Sequence, residues 1–430
     1  MTDTLVVLLG AAIAGNVRRL AGGRLRFDYD EAYRTQPHAT PLSLSMPVQV
    51  PSHPNGVITP WLWGLLPDNL SVIDHWARRF HVSAASPFAL LSTPIGEDCA
   101  GAVRFVTPDK VERALTRRGN VTWLDEEGVA QLLSDLREDS TAWLGRSFTG
   151  QFSLAGAQAK TALLFRDGRW GVPSGAMPTT HILKPAVAGL DDHDLNEHLC
   201  LTAARRLGLL AVATRVGRFA SETAIVVERY DRVAREEEIS RVHQEDVCQA
   251  LGLPPSKKYQ NEGGPSPARI GELVRQVMPS RIAEESVVRF ADALIWNWLI
   301  GGTDAHAKNY SFLLSGGDVR LAPLYDVASG LPYGTHERRL RFAMKIGGDY
   351  RVYPLQSNWP RAARELGIDV VQLVDRVREL ALAVPDIFAS VASEPAIQSL
   401  NRPLATKLVT LVADRARRCL QVVDRSRSIV

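Results

Sequence analysis

The chain has 430 residues, of which 45% are hydrophobic and 23% charged, with 50 Lys and Arg against 47 Asp and Glu. This balance excludes a disordered, collagenous or coiled-coil chain, and the length implies two to three domains of about 150 residues each. A formal net charge of +3 creates no strong field for nucleic acid as the main partner.

Cys99, Cys200, Cys248 and Cys419 lie far apart and form no C-x-x-C pair, which points to a reducing compartment and to neither a zinc site nor a disulfide scaffold. The longest uncharged apolar stretch, Leu5 to Val17, covers 13 residues, short of the about 20 that a membrane-spanning helix requires. Only Asp3 precedes it as a charge, so it lacks the basic flank of a signal peptide. A cytoplasmic protein with no membrane partner is expected.

Leu5–Leu9 and the alternating Leu25–Tyr29 predict strands. Five prolines between Pro41 and Pro60 then mark a loop-rich segment, followed by a predicted helix from Trp61 to Phe80. Asp125–Glu138 reads as an amphipathic helix, and Phe148–Trp170 as a strand–turn–strand hairpin turning at Ala155–Lys160. His181–Pro185 and Ala224–Glu228 are expected strands, and Asn196–Leu207 a helix opened by an Asn196 cap. Helical patterns then dominate at Gln244–Leu251, Ile270–Val277, Glu284–Leu299, Val370–Leu382 and Leu404–Val423, interrupted at Gly301–Leu314 and Val319–Gly330. A strand-rich half followed by a helical half predicts an α+β chain with at least two lobes.

Asp304 precedes Asn309 by five positions, and two short apolar runs follow before Asp326. Asp–x4–Asn, a hairpin and a second Asp is the order found in protein-kinase-like phosphotransferases. There the first Asp accepts the substrate hydroxyl proton, and the Asn and second Asp hold magnesium. The competing reading is a solvated acidic turn, since this spacing also arises by chance. Lys184, in a strand, lies 13 residues before Glu197 on a predicted helix, the order of a phosphate-touching lysine and its helical glutamate. Taken alone, that pair is equally explained by an edge-strand lysine and a surface glutamate.

Lys160-Thr161 supplies only the end of a Walker A loop, because Leu154 and Ala159 stand where glycines are required. The kinase Gly-x-Gly-x-x-Gly pattern also fails, leaving a small-residue turn whose N–H groups approach phosphates closely. Asp304, His306 and His336 do not have the order or spacing of a two-His, one-carboxylate iron site.

Together these segments resemble the HipA family, the Ser/Thr kinase toxins of bacterial toxin–antitoxin modules. The resemblance is carried by Ser153–Thr161, His181–Pro185, Asn196-Glu197-His198, Glu228–Asp231, Arg241–Asp246 with Gln249–Gly252, Lys258-Tyr259 and Gly302–Asn309. Gly64–Asn69 and Asp98–Ala102 extend it, so that it covers roughly residues 5 to 400.

The resemblance implies a two-lobed, protein-kinase-like α+β fold. A β-rich N-terminal subdomain would span residues 1–108, a kinase N-lobe 109–231 and a helical C-lobe 232–430. It also implies ATP and Mg2+ as cofactors. Ala155, Gly156, Ala157, Gln158, Ala159 and Lys160 would cover the ATP phosphates and Lys184 would touch them. Glu228, Arg229 and Tyr230 would flank adenine. Asp304 would be the catalytic base, His306, Lys308 and Asn309 would line the triphosphate, and Asn309 and Asp326, preceded by Tyr325, would hold magnesium. Ser153 matches the family's autophosphorylated serine, whose modification displaces the ATP loop. Ala159 stands where the family commonly has Glu, which bears on the loop's geometry.

The implied partner is a HipB-like helix-turn-helix antitoxin, with operator DNA reached only through it. The implied substrate is an aminoacyl-tRNA synthetase such as glutamyl-tRNA synthetase. Two alternatives remain: a small-molecule phosphotransferase of related fold, and a co-repressor acting mainly within an antitoxin–DNA complex. The arginines Arg415, Arg417, Arg418, Arg425 and Arg427 offer a contact to operator DNA within such a complex, but read first as a solvated helix end.

Overall fold

The computed structural model describes residues 3–116, 119–145, 151–186, 189–235, 238–334 and 336–427. The chain forms two units. The first comprises Met1–Pro185, Gly217–Pro255 and Ser311–Ala322, the second Ala186–Val216, Ser256–Tyr310 and Pro323–Val430. The backbone therefore crosses between units five times.

In the first unit, strands β1 (Thr4–Leu9), β2 (Ala12–Arg19), β3 (Leu25–Tyr29), β4 (Ser52–His53) and β5 (Val103–Val106) form an antiparallel sheet in the order β4-β3-β2-β1-β5. The alternation in β3 buries Leu25, Phe27 and Tyr29, as period-2 patterning requires. Their side chains join Trp61, Trp76 and Phe105 in one apolar core. The helix expected over residues 61–80 is two helices, Asn55–Gly64 and Leu70–Phe80. Pro67 has no N–H to continue the first, and the Asn69 side chain accepts from Ser71 N to cap the second.

The second sheet runs β10-β11-β9-β7-β8-β6. Its strands are β6 (Asn120–Leu124), β7 (Thr161–Arg166), β8 (Arg169–Ser174), β9 (His181–Pro185), β10 (Thr214–Phe219) and β11 (Glu222–Glu228). The helix Glu126–Glu138, capped by Asp125, packs Val129, Leu132 and Leu133 onto Leu163, Trp170 and Val226. The expected hairpin turn at Ala155–Lys160 is not one; the hairpin turns at Asp167 and Gly168, both at positive φ. Asp-Gly is the pair that such a turn favours. Phe148–Gly150, part of the expected hairpin, lie outside the described residues.

Further along, β12 (Arg232–Arg235) pairs with β13 (Glu238–Arg241), and β14 (His243–Asp246), β15 (Ser311–Ser315) and β16 (Asp318–Leu321) form a three-stranded sheet. The helix expected from Gln244 begins later, at Val247–Ala250. A reciprocal cap between Asp246 and Gln249 fixes its start.

The second unit is mainly helical: His193–Arg206, Pro267–Val277, Ser280–Ile300, Trp359–Leu366, Val370–Ala392 and Leu404–Arg427. Four of the five helices expected there appear with longer bounds, one of them continuing through Pro385. Trp296 stacks on Phe388 with ring centroids 5.7 Å apart. The helix opened by an expected Asn196 cap instead starts at His193, so Asn196 is interior and buried. Its amide is used elsewhere, as described below. A hairpin of β17 (Arg341–Ile346) and β18 (Asp349–Arg351) completes the unit. Among the described residues no helix is long and apolar enough to cross a membrane.

Candidate active site

The sequence-expected residues fall into two sets, one in each unit. In the first unit Lys184 is buried in β9, opposite Ile225 of β11. Ser153 is fully buried, its Oγ donating to Leu65 O at 2.8 Å and its N to Asp98 O at 2.9 Å. Asp68 N donates to Gly156 O at 3.0 Å, so residues 153–156 rest on the segment Leu65–Asp68. Lys160 Nζ donates back to Ala155 O at 2.7 Å and lies 4.8 Å from the centre of the Trp143 ring. Gly156 has φ +103°, and a Cβ there would sit 2.6 Å from Lys160 Nζ; this is a backbone conformation that glycine adopts freely. Gln158 Nε2 is buried and has no hydrogen-bond partner among the described residues.

Glu228 ends β11 and is exposed, whereas the Arg229 guanidinium is buried in an ionic network. Arg229 donates to Asp231 Oδ1 and Oδ2 at 3.0 and 2.8 Å and to Thr179 Oγ1 at 2.8 Å. Asp98 accepts from Arg232 and Arg241 at 3.0 Å each, and from Thr179 Oγ1 at 2.7 Å. Burial alone would raise the Asp98 pKa, but Arg232, Arg241 and Arg229 together outweigh it and hold the carboxyl far below its usual range. Tyr230 OH donates to Gln244 Oε1. The family-type segment Asp98–Gly101 is thereby locked to the strand end that carries residues 229–232.

In the second unit the helix Ser280–Ile300 ends at Gly301, in the left-handed region at φ +66°. Gly302 N donates to Asn297 O at 2.8 Å, and a Cβ on Gly302 would lie 2.3 Å from Asn297 Oδ1. The helix end thus enters the loop by one tightly fixed route. Asp304 is exposed, and its Oδ1 accepts from Tyr259 OH at 2.7 Å. Its carbonyl accepts from His306 N and from Asn309 Nδ2, both at 2.8 Å. The Tyr259 and His306 rings meet edge-on at 5.1 Å. Tyr325 OH donates to Lys308 O at 2.7 Å, tying the segment before Asp326 to the same loop. Asp326 has φ +56°, a conformation that costs a non-glycine residue on the order of 1 kcal/mol and recurs at functional sites.

Behind this loop, Asn196 donates from Nδ2 to Ser329 O at 2.8 Å and accepts from Ser329 N at 3.0 Å. Ser329 Oγ donates to Ile300 O at 2.6 Å. Arg415, expected at a solvated helix end, is instead fully buried and donates to Trp298 O and Glu337. The last carbonyls of the helix leading to Asp304 are therefore held from outside.

Tyr259 is a neighbour of Asp304 to which spacing assigned no role; it lies 45 residues before it. Among the described residues no three His, Cys, Asp or Glu side chains converge as a dedicated metal cage. Magnesium characteristically uses one or two protein oxygens together with phosphates.

Residues 5–106 match the HipA N-terminal domain and residues 152–388 the HipA-like C-terminal domain. The chain belongs to the HipA family. It is 32% identical over 409 residues to the Y4mE protein of Sinorhizobium fredii, covering 94% of this chain and 96% of that one. The serine/threonine-protein kinase toxin HipA of Shewanella oneidensis is 28% identical over 406 residues, or 90% of each chain. A solved structure of Shewanella oneidensis HipA with HipB and its operator DNA matches with a TM-score of 0.84 at 26% identity, over 99% of both chains. The fold is accordingly the α+β, kinase-like fold of HipA, and the family is one of toxin kinases.

Proposed function

We propose that this HipA-family chain is an ATP-dependent serine/threonine protein kinase that arrests growth. The observation that carries the reading is the loop Asp304–Asn309. An exposed carboxylate has one oxygen engaged by Tyr259, and Asn309 is braced against its backbone, in a family with a kinase toxin among its close relatives.

The residues present fit ATP and magnesium. Gln158 Nε2 is a buried donor with no acceptor among the described residues, which suits a phosphate oxygen. Asn309 and Asp326 offer the hard oxygen donors that magnesium prefers. Gln158, Lys160, Lys184 and the backbone of Ala155, Gly156, Ala157 and Ala159 would hold the phosphates, together with His306 and Lys308. Glu228, Arg229 and Tyr230 would border the base. When bound, ATP with magnesium supplies the transferable phosphoryl group and neutralises its charge.

Tyr259 occupies Oδ1 of Asp304 and so directs Oδ2 to take the proton of the acceptor hydroxyl. Asn309 fixes the backbone of that residue from behind. The acceptor is a protein, an aminoacyl-tRNA synthetase such as glutamyl-tRNA synthetase by the family resemblance. A HipB-like antitoxin neutralises the toxin and mediates contact with operator DNA. Residues 1–108, 109–231 and 232–430 serve as N-terminal, nucleotide-binding and catalytic segments.

Ser153 is the regulatory autophosphorylation site. A phosphoserine adds about −1.5 to −2 charge, which the buried position beside Leu65 O does not accommodate, so modification holds residues 153–160 away from that position.

Transfer of label from [γ-32P]ATP into a bacterial lysate tests the assignment. The wild type is expected to label a protein and itself. Asp304→Ala is expected to lose both by a factor of about 10^2 to 10^4, while Ser153→Ala continues to label its target. Undiminished transfer by Asp304→Ala would overturn the kinase reading. Label confined to a metabolite would favour the small-molecule phosphotransferase.

A further inference from the structure

Within the second unit Asp326 stands between two anchors. One residue before it, Tyr325 OH donates to Lys308 O at 2.7 Å. Three residues after it, one side chain takes both backbone groups of Ser329. Asn196 Oδ1 accepts from Ser329 N at 3.0 Å, and Asn196 Nδ2 donates to Ser329 O at 2.8 Å. The amide thus pairs with a single residue's backbone as a neighbouring strand would. Contacts of the same amide with Cys200 Sγ at 3.4 Å and Tyr333 OH at 3.3 Å fix its orientation. Asn196 and Ser329 are both buried, so water does not stand in for either bond.

Ser329 also reaches the helix that leads to Asp304. Its Oγ donates to Ile300 O at 2.6 Å and accepts from Leu331 N at 3.2 Å. Gly330 N donates to Gly301 O at 2.9 Å. The helix carrying Asn196 is itself braced at its start, where Arg402 donates to Asp192 Oδ1 at 2.6 Å and to both Asp194 oxygens at 2.6 and 2.9 Å. Asparagine is a poorer helix former than alanine or leucine, and what this interior position gains lies outside its own helix, at Ser329.

We propose that Asn196 is a positioning residue for Asp326, setting where its carboxylate stands to receive magnesium. A non-glycine residue at φ +56° persists only where its surroundings over-determine it, and Tyr325 and Ser329 are those surroundings on either side. Releasing Ser329 lets the backbone at Asp326 relax and carries the carboxylate off its place. The same serine joins the segments leading to Asp304 and from Asp326, so one amide holds base and metal ligand in register. The proposal rests on the kinase reading above for the metal and adds the residue that places its ligand.

Calorimetric titration of the full chain with AMP-PNP, once with magnesium and once with EDTA, isolates the metal-dependent part of the affinity. Asn196→Ala is expected to lose affinity about tenfold with magnesium, as loss of a group that orients a metal ligand does, and to be unchanged in EDTA. In an Asp326→Asn background the same substitution is expected to add no further loss, because both act through one group. Hydrogen exchange needs no nucleotide: Asn196→Ala is expected to lose protection over residues 326–331 while the helix Val370–Ala392 keeps its own. Should Asn196→Ala not fold, Ser329→Ala keeps the amide pair, removes only the Oγ bonds, and is expected to show smaller changes in the same direction. An equal loss with magnesium and with EDTA, additive losses in the Asp326→Asn background, or unchanged exchange over 326–331 would each overturn the proposal. A wild-type chain that binds no AMP-PNP would strike the kinase reading, while loss of protection over 326–331 would still support Asn196 as the anchor of that segment.

Discussion

Replacing Asp98 by Ala removes the carboxylate on which Arg232, Arg241 and Thr179 converge at 2.7 to 3.0 Å. The guanidiniums left behind are buried, with Arg229 and Arg232 sharing Asp231 as their remaining carboxylate. Deleting one partner of a buried ion pair typically costs about 3–5 kcal/mol, because the other charge stays desolvated. Urea unfolding followed by tryptophan fluorescence reports it, since Trp61, Trp76 and Trp143 are fully buried in the same unit. With a denaturant slope of roughly 3 kcal/mol/M, the midpoint of that unit is expected to fall by about 1 M or more.

Asp98→Asn adds a pH signature. The folded carboxyl titrates far below the usual range, so its stabilisation is complete above the unfolded value of about 3.9. It is lost as pH falls from there toward the folded-state value. The stability gap between wild type and Asp98→Asn is therefore expected to be constant at neutral pH and to narrow below about pH 4. A midpoint shift under about 0.3 M for Asp98→Ala, or a gap that widens with acid, would refute the argument.

Glu245 is fully buried, and burial pushes its carboxyl up to about 8 despite hydrogen bonds from Leu44 N and Trp61 Nε1. The native state then retains a proton that the unfolded chain releases, so stability is expected to fall between about pH 4.5 and pH 8, by at most about 1.4 kcal/mol per pH unit. Thermal melts of Glu245→Gln across that window should show a shallower slope; an unchanged slope would count against it. Gly302→Ala places a methyl against Asn297 Oδ1 and is expected to lower kcat about a hundredfold by misplacing the loop. Asn297→Ala combined with Gly302→Ala should recover part of that loss in the same phosphoryl-transfer assay, whereas a fully active Gly302→Ala would show that the loop tolerates the displacement.

Much of the architecture was legible because it is written in short-range patterns. The alternation in Leu25–Tyr29 and the helical periodicity of Ile270–Val277, Glu284–Leu299, Val370–Leu382 and Leu404–Val423 led to the right element types. The misses arose where one local signal overrode another. Pro67 and Asn69 split an apolar stretch into two helices, and Asp167-Gly168 took the turn from the small residues at 155–160. Asn196 looked like a cap because Asn favours that position, yet its amide serves Ser329, 133 residues away.

The candidate site divides in the same manner. Asp304, His306 and Asn309 are close in sequence and bonded through one loop, so their spacing announced them. The Tyr259 hydroxyl on Asp304, and Arg415 under the helix end, are contacts across 45 and 117 residues. No periodicity or spacing rule reaches that far. The Asp98 network, joining residues 131 to 143 positions apart, was equally invisible.

The five passages of the backbone between the two units carry their own consequence. Two of them fall after Tyr310 and after Ala322, so the strands between Asn309 and Asp326 belong to the first unit while both of those residues belong to the second. No single cleavage of the polypeptide releases either unit intact. Fragment complementation, halves produced separately, or a deletion guided by the N- and C-terminal family boundaries would each leave a severed hydrophobic core. Synthesis must also reach the final passage before the first unit has all its strands, which makes late, long-range closure part of how this chain folds.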